Sequence, residues 1–448
     1  MKKILILAYD FPPYNSVGAQ RPYSWFKYLK KYGYHPIVVT RFWDSIQYKK
    51  NSNPQSNTFN EAVIEELGFG TLIRVPYHMN LRDMFAMRLG GNFSVVRRFL
   101  TFIFYVCEFF SFKCDSRREI FFEANRYLLS NKVDFIIASG EPFLLFRYAS
   151  QLSKNHNIPW IADYRDDWVD SHTDVFKYNA VLKIVRKCRA WLERRFLYNA
   201  AAITTVTEFL RESISIRTQV KNSAKIENGV ELDNLNLIES AKQTSNCFRI
   251  VYTGIMYDFD YLKDFAEGFD TFMASINDKT SVSVQFIGIS SSVNQCVEDT
   301  LRLKERYSEN IEIFDNMEYD KVISYQKNAS VFLNLIAGDP SLGFLGAKCY
   351  QYAALKKPIL SVPLVKNSES SFFPNRDINY IAVNKTQVFN FLMKYYNEFV
   401  LNKPIQTSIT DEEIFLISRE NKTKELTSFL NKLYDTKKKE DSCFSSTY

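Results

Sequence analysis

The sequence predicts an α/β protein built from two doubly wound domains. Short apolar runs typical of buried strands alternate with amphipathic helical patterns along the chain. Each half opens on a strand that runs into a glycine-containing turn, at Gly18 in the first half and Gly254 in the second. The length of 448 residues exceeds one ordinary core and fits two domains of about 200 residues each.

The opening unit reads as strand, loop, helix and strand. Residues 4–8 form an apolar run that suits a strand covered on both faces, and residues 10–18 carry the Pro, Asn, Ser and Gly that end such strands. We predict a helix from Pro22, which a first turn tolerates, to Gly33, which can take a left-handed cap. A second strand is predicted over residues 35–40. In this arrangement a ligand site lies where strands end and helices begin.

The same alternation predicts the later strands and the division into domains. The polar, non-periodic residues 240–246 read as a linker, because a fresh strand that ends in glycine follows them. We therefore expect an N-terminal domain over 1–239, a C-terminal domain over 247–405, a final helix over 406–436 and a loose tail over 437–448. The further strands are predicted at 135–138, 160–162, 203–206, 282–287, 311–314, 331–335 and 358–362.

Composition narrows the functional classes. Aromatic residues make up 16% and apolar residues 46% of the chain, which excludes general disorder. The net charge of +7 suits an anionic membrane surface or phosphorylated small molecules and is too diffuse to indicate nucleic acid. Seven cysteines without a CxxC pair and four scattered histidines indicate neither a zinc site nor a disulfide framework, so we expect a reducing, cytoplasmic setting. The five apolar residues after Met-Lys-Lys are too few for a signal peptide.

Two aromatic and basic segments suggest contact with a membrane. Residues 97–113 contain about 14 apolar positions with Glu108 among them, whereas a spanning helix needs about 20. A helix at the bilayer interface and a helix buried in its own domain both fit this segment. The second segment, residues 183–195, places six cations around Ile184, Cys188, Trp191 and Leu192, which also fits an ordinary solvated helix face.

Six motifs, in chain order, resemble those of bacterial family-4-like retaining glycosyltransferases of the GT-B fold. The motifs are PPYNSVGAQR, YGYHPIVVT, WIADYRDDW, ITTVTEFLRESI with KIENGVE, IVYTGIMYD and GAKCYQYAALKKPIL. WIADYRDDW is similar to the D-x-R-D-x-W signature of one subgroup. The resemblance implies two Rossmann-like domains facing a central cleft, a nucleotide-sugar donor as co-substrate, no metal ion or other cofactor, and a last helix that crosses back to the first domain.

The resemblance also implies which residues hold the donor. A departing nucleoside diphosphate needs fixed cations or aligned N–H donors at its oxygens. Lys348 is the first candidate cation and Lys263 the second, although either could be an ordinary surface lysine. Gly18 would let the backbone approach the donor or would merely permit a turn. The remaining donor-binding candidates are Arg21, Asn228 in a tight Asn228-Gly229 turn, Gly254 and Gln351.

Two positions depart from the family pattern. Similar enzymes carry glutamate where this chain has Gln351, and their second glutamate falls at Gly343. Gln351 can still accept a hydrogen bond from a sugar or ribose hydroxyl through its carbonyl, but a neutral amide binds more weakly than a carboxylate. Because of these two differences, a non-catalytic nucleotide-sugar-binding protein is an alternative to an active enzyme.

The DYRDDW motif supplies the acceptor candidates at the end of a predicted strand. Asp163, Arg165 and Trp168 would bind the acceptor or brace the cleft, or an Asp–Arg pair would only fix the loop. Asp166 and Glu141 join Lys348 as catalytic candidates, since Glu141 also follows a strand end and could orient an acceptor hydroxyl. A plain loop glutamate remains the alternative for Glu141.

The function that these observations predict is transfer of a sugar from a nucleotide-sugar donor to a lipid-linked or growing glycan, with retention of configuration. We expect it in surface polysaccharide biosynthesis, such as capsule or lipopolysaccharide, peripheral on the inner face of the cytoplasmic membrane. The alternatives are a nucleotide-sugar epimerase of the same fold and a degenerate nucleotide-sugar-binding protein.

Overall fold

The computed structural model divides the chain into two compact units. The first unit comprises Met1–Glu227 with Lys422–Tyr448, and the second comprises Asn228–Asn421. The residues that the structure describes are 1–14, 16–43, 61–80, 103, 107–170, 180–233, 235, 247–256, 262–289, 295–336, 348–364 and 377–445. The predicted linker at 240–246 and Gly343 lie outside these ranges.

The first unit is built on an eight-stranded sheet in the order β3-β4-β2-β1-β5-β6-β7-β8. Its neighbouring strands are parallel except for β3, which runs antiparallel to β4 at the edge. Strands β5 and β6 are buried along their whole length and β1 is buried from Ile4 onward, as expected of parallel strands covered by helices on both faces. The strands are β1 (Lys2–Leu7), β2 (Tyr34–Arg41), β3 (Val63–Glu66), β4 (Thr71–Val75), β5 (Phe135–Ser139), β6 (Trp160–Tyr164), β7 (Ala202–Thr205) and β8 (Ser223–Lys225).

Helices lie between these strands and enclose two apolar clusters. One cluster includes Leu5 and Ile136, and the other includes Ile4 and Phe135, so alternate residues of β1 and β5 serve opposite faces of the sheet. The helices are α1 (Val17–Tyr28), α2 (Arg118–Ser130), α3 (Leu144–His156), α4 (Ala180–Leu197) and α5 (Glu208–Thr218).

The second unit repeats this plan with a six-stranded parallel sheet in the order β11-β10-β9-β12-β13-β14. Its strands are β9 (Phe248–Thr253), β10 (Val282–Ile287), β11 (Ile311–Phe314), β12 (Val331–Ile336), β13 (Ile359–Pro363) and β14 (Asn379–Ile381). Its helices are α6 (Lys263–Ser275), α7 (Gln295–Arg306), α8 (Tyr319–Gln326), α9 (Lys348–Ala354), α10 (Lys385–Val400) and α11 (Asp411–Leu416). The long α12 (Arg419–Ser445) begins in this unit and continues into the first, where Leu426 and Leu430 join the core.

The two sheets confirm the predicted α/β class with two doubly wound domains. In each sheet the strand order reverses beside the first strand, between β1 and β5 in the first unit and between β9 and β12 in the second. The carboxyl ends of strands at such a reversal are where doubly wound folds bind ligands. No helix within the described residues is long and apolar enough to cross a bilayer.

Several elements differ from the sequence-based prediction. Helix α1 begins at Val17 rather than at Pro22, because the Ser16 hydroxyl accepts from the amide of Ala19 and caps the helix earlier. The predicted cap at Gly33 is confirmed, with φ of 85°. Helix α12 extends to Ser445, past the start of the predicted loose tail at 437, because its Lys and Glu residues are good helix formers.

Candidate functional site

The candidate site of the second unit lies at the carboxyl end of β9, beside the strand-order reversal. Gly254 follows β9 with φ of 110°, a conformation that strongly favours glycine, and its amide donates to the carbonyl of Ile287 at 2.8 Å. Gly288, with φ of 89°, lies alongside at the end of β10. Two neighbouring strands therefore end in glycine, which leaves the sheet edge free of side chains at these two positions.

Lys348, the first residue of α9, reaches this edge. Its Nζ donates to the carbonyl of Thr253 at 3.0 Å and lies 4.0 Å from the centre of the Tyr252 ring. A Cβ at Gly254 would lie 3.6 Å from the same Nζ. No carboxylate among the described residues pairs with this ammonium, and burial lowers the pKa of Lys348 to about 8. The result is a partly buried cation at a strand end that no described carboxylate neutralises.

A chain of hydrogen bonds fixes the strand end under Lys348. Tyr352 accepts from the amide of Thr253 at 3.0 Å, and its hydroxyl meets Thr253 Oγ1 at 2.9 Å. Gln326 donates through Nε2 to Thr253 Oγ1 at 3.0 Å and accepts from the side-chain amide of Gln351. Gln351 is thereby held one helical turn after Lys348, and it completes the chain of bonds back to Thr253.

Lys263 and Asn228 are not brought to this cluster by any contact among the described residues. Lys263 is exposed at the first position of α6, a helix whose N-cap, Leu262, makes no side-chain capping bond. Asn228 is half-buried where the chain enters the second unit. The predicted Asn228-Gly229 turn is wrong, because these two residues form no turn and lead directly into Val230, which pairs with Ser418 as a parallel bridge. A Cβ at Gly229 would lie 2.7 Å from the Arg419 amide nitrogen, so close backbone packing explains this glycine.

The corresponding edge of the first unit carries acidic groups and an arginine. The Arg165 guanidinium donates from Nε to the carbonyl of Gly140 at 2.5 Å and from Nη2 to that of Glu141 at 2.9 Å. Asp10 follows β1, and its carboxylate accepts from the Ser16 hydroxyl at 3.0 Å. Asp166 is exposed. The strand ends at the reversal between β1 and β5 thus gather three carboxylates around one arginine.

Two of these carboxyl groups have raised pKa values. Burial raises the pKa of Glu141, with a further rise from Asp166 and Asp10 and an opposing effect from Arg165. Burial also raises the pKa of Asp10, and its hydrogen bond from Ser16 and the charge of Arg165 partly oppose this. Although Glu141 is exposed by surface area, its carboxyl loses enough hydration to raise its pKa. A carboxylate of this kind is suited to accept a proton from a hydroxyl.

Gly18 lies in the first turn of α1, not in the loop before it. A Cβ at this position would overlap Nη1 of Arg165 and lie 2.7 Å from Oδ2 of Asp10. The absence of a side chain therefore lets Arg165 lie against the start of α1. Contact between Gly18 and a donor stays a prediction.

Three residues predicted to bind ligands are buried and contact the interior of the first unit instead: Arg21, Asp163 and Trp168. Arg21 donates from Nη2 to Asp163 at 2.7 Å and from Nη1 to the carbonyl of Ile226 at 2.8 Å, so its guanidinium faces the interior. Asp163 is fully buried and also accepts from Thr204 at 2.7 Å. Trp168 is 3% exposed and its ring stacks on Phe143. Of the roles predicted for Asp163, the structure favours a structural one, and its partner is Arg21, which lies outside the DYRDDW motif.

Sequence reasoning missed several members of both clusters. Asp10 lies in the loop after β1 that the prolines and glycine had indicated. An acidic residue so soon after a buried strand could have marked it as a site candidate. Thr253, Gln326 and Tyr352 carried no signal, because 73 and 99 positions separate Thr253 from its partners. Within the described residues, no group of three or more His, Cys, Asp or Glu side chains could hold a metal ion.

The sequence matches no protein-family model and no curated protein. Solved structures do share its fold. The sucrose-phosphate synthase of Thermosynechococcus elongatus matches with a TM-score of 0.61 at 14% identity, over 97% of this chain and all of its own. A glycosyltransferase from Rickettsia africae matches with a TM-score of 0.57 at 12% identity, over 97% of this chain and 98% of its own.

A third structure was solved with a nucleotide sugar. Alr3699/HepE of Anabaena, in complex with UDP-glucose, matches with a TM-score of 0.58 at 10% identity, over 96% of this chain and all of its own. The likeness covers both units in all three cases. The chain therefore has the GT-B fold, with two domains that are each built around a parallel sheet.

Proposed function

We propose that this protein transfers a sugar from a nucleotide-sugar donor to a lipid-linked or growing glycan, with retention of configuration and without a metal ion. The observation that carries the proposal is the ammonium of Lys348, held at the end of β9 with no carboxylate partner among the described residues. A partly buried cation of this kind favours an anionic ligand, and the diphosphate of a nucleotide sugar supplies one. The complex of HepE with UDP-glucose supports the same ligand class.

In this proposal the second unit binds the donor. Lys348 neutralises the charge that develops on the departing diphosphate, and Gly254 lets the phosphate approach without obstruction by a Cβ. The uncapped start of α6, with Lys263, offers further N–H donors and a second cation. Gln351 accepts from a sugar or ribose hydroxyl through its carbonyl, because its amide nitrogen is bonded to Gln326.

The first unit binds the acceptor. Glu141 and Asp10, with raised pKa values, are placed to take a proton from the attacking hydroxyl, and Arg165 orients the loop that carries Glu141. Asp166 lies near Glu141 and keeps that carboxyl easier to protonate. We place this reaction in surface polysaccharide biosynthesis at the cytoplasmic face of the membrane.

The test is release of nucleotide from a panel of UDP-, GDP- and dTDP-sugars incubated with the protein and a membrane extract. We expect release from at least one donor and its loss in Lys348→Ala, while this variant remains folded, as cooperative thermal unfolding would show. Lys357→Ala is the matched control, because Lys357 is also half-buried, also has a lowered pKa and donates to the carbonyl of Ile405 at 3.4 Å. Unchanged turnover in Lys348→Ala would refute the assignment.

Product analysis separates the alternatives. A labelled donor sugar recovered in a glycan with its anomeric configuration unchanged supports retaining transfer. A labelled epimer of the donor sugar would instead identify an epimerase. Nucleotide binding by calorimetry without turnover of any donor would identify a non-catalytic relative.

A further inference from the structure

An apolar stripe lies exposed along helix α4. Ile184 and Trp191 on the helix, with Tyr198 directly after its end, are 63%, 51% and 67% exposed, and they follow one another at intervals of seven residues, or about two helical turns. The opposite face of the helix buries Leu192 and Phe196 in the core. The helix is therefore apolar on two faces, and only one of them is buried in the core that the described residues form.

A second segment of the chain extends this stripe. Phe110 is 53% exposed, and its ring stacks on Trp191 with the ring centres 6.2 Å apart. Its neighbours turn inward, since Phe109 is buried in the core and Glu108 pairs with Arg117 at 3.0 Å. We call Phe110, Ile184, Trp191 and Tyr198 the aromatic patch. Most of 97–106 lies outside the described residues, but 107–113, the described end of that segment, thus meets the second segment singled out by sequence at one surface.

The rim of the aromatic patch is positively charged. On α4 the exposed charges are those of Lys183, Lys187, Arg194 and Arg195, and Arg195 lies over the Trp191 ring at 5.3 Å. The sole acid in the helix sequence, Glu193, is fully buried and bonded to Arg217. The solvent face of α4 therefore offers cations and apolar side chains with no exposed acid of its own.

We propose that the aromatic patch docks on a membrane surface that carries anionic phospholipids, with α4 parallel to the bilayer. Trp and Tyr side chains favour the level of the lipid head groups, and nearby Lys and Arg side chains meet the phosphates. The stripe from Ile184 to Tyr198 extends along about 20 Å of helix, which gives a flat line of contact. This inference goes beyond the sugar-transfer reaction and does not depend on it.

The test is sedimentation of the full chain with vesicles of phosphatidylglycerol and phosphatidylethanolamine, compared with vesicles of phosphatidylcholine alone. The wild-type protein sediments with the anionic vesicles, and added salt weakens the binding. The double variant Lys183→Glu, Lys187→Glu lowers the partition constant about 30-fold or more, since each lysine near a charged surface contributes about fivefold. The double variant Phe110→Ser, Trp191→Ser lowers it about tenfold or more.

Matched controls use the second unit. Phe415 and Leu416 are 41% and 55% exposed beside the acids of α11, so Phe415→Ser, Leu416→Ser removes similar apolar surface and leaves binding unchanged. Lys403→Glu reverses one exposed charge of the second unit and has little effect. Wild-type protein that stays in the supernatant, or patch variants that bind like wild type, would overturn the proposal. A change from dimer to monomer in the patch variants would instead assign the patch to a second copy of this chain.

Discussion

Arg21 and Asp163 form a buried ion pair across 142 positions of sequence. The Arg21 guanidinium donates to both carboxylate oxygens, with the shortest distance, Nη2 to Oδ1, at 2.7 Å. The side chains are 6% and 0% exposed. Because Arg21 lies on α1 and Asp163 on β6, the pair joins the first helix to the strand that carries the DYRDDW motif.

Loss of one partner of this pair should strongly destabilise the first unit. Arg21→Met leaves the Asp163 charge buried without its cation, and we expect a loss of about 3–5 kcal/mol in the free energy of unfolding. Urea unfolding of the two variants measures this. The control is Arg302→Met, since the exposed pair of Arg302 with Asp299 should contribute less than about 1 kcal/mol. Equal effects of the two substitutions would contradict a structural role for Arg21.

The pKa of Lys348 predicts how nucleotide affinity depends on pH. Burial lowers this pKa to about 8 in the free protein, so the ammonium loses its proton above pH 8. An anionic ligand binds the protonated form, and affinity for a nucleoside diphosphate should therefore fall about tenfold per pH unit well above pH 8. Calorimetry with UDP, GDP and dTDP from pH 7 to 10 gives the profile. Lys348→Met should bind weakly at every pH, without this decline.

The lowered pKa of Lys348 also predicts that its ammonium reduces the free energy of unfolding. Its folded pKa lies below its unfolded value, so the unfolded chain binds the proton more tightly. The ammonium thus opposes folding below pH 8, and this penalty disappears as the pH rises through the unfolded pKa. We expect Lys348→Met to raise the melting temperature at pH 7 and to lose that advantage near pH 11. The exposed Lys403→Met should leave the melting temperature unchanged.

The sequence was informative wherever the physical cause of a structure is local. Val282–Ile287 and Ile311–Phe314 were predicted with their observed bounds, because apolar residues alternate with polar ones in both segments, as in VSVQ and IEI. Lys348 and Gly254 were selected by motif, and the structure places Nζ of Lys348 3.6 Å from the position that a Cβ at Gly254 would occupy. The choice depended on the order of motifs along the chain, not on either residue alone.

Features that depend on distant partners could not be predicted. Arg21 was predicted to bind a ligand, and nothing in the sequence around it indicated that Asp163, 142 positions away, is its partner. The start of α1 was misplaced because proline at position 22 suggested a first turn, whereas the Ser16 cap determines the start. The bonds from Thr253 to Gln326 and Tyr352 likewise join residues that no periodic pattern relates.

Gln351→Glu should be tolerated and should improve donor binding. The carboxylate cannot donate to Gln326, but rotation of the Gln326 amide lets Nε2 donate to the new carboxylate and Oε1 accept from Thr253. We expect a melting temperature within a few degrees of wild type and tighter nucleotide-sugar binding. Leucine at position 351 cannot form a hydrogen bond with Gln326. Gln351→Leu should therefore lower the free energy of unfolding by about 1 kcal/mol. Weaker donor binding by Gln351→Glu would contradict an acceptor role for this position.

Gly18 and Arg165 should be coupled in a double-mutant cycle. Gly→Ala within a helix ordinarily stabilises a protein by about 0.5–1 kcal/mol, but a Cβ at Gly18 would overlap the Arg165 guanidinium. Gly18→Ala alone should therefore displace Arg165 from the carbonyls of Gly140 and Glu141, and it should lower both stability and sugar transfer.

In an Arg165→Ala background only Oδ2 of Asp10, 2.7 Å from a Cβ at Gly18, has to shift, and the same Gly18→Ala change should destabilise the protein much less than it does with Arg165 present. Urea unfolding of the four proteins gives the coupling free energy, and Gly68→Ala, where a Cβ meets nothing within 4 Å, is the control. Additive effects of the two substitutions would show that Arg165 does not lie against the start of α1. The role of Arg165 in orienting the Glu141 loop would then have no structural basis.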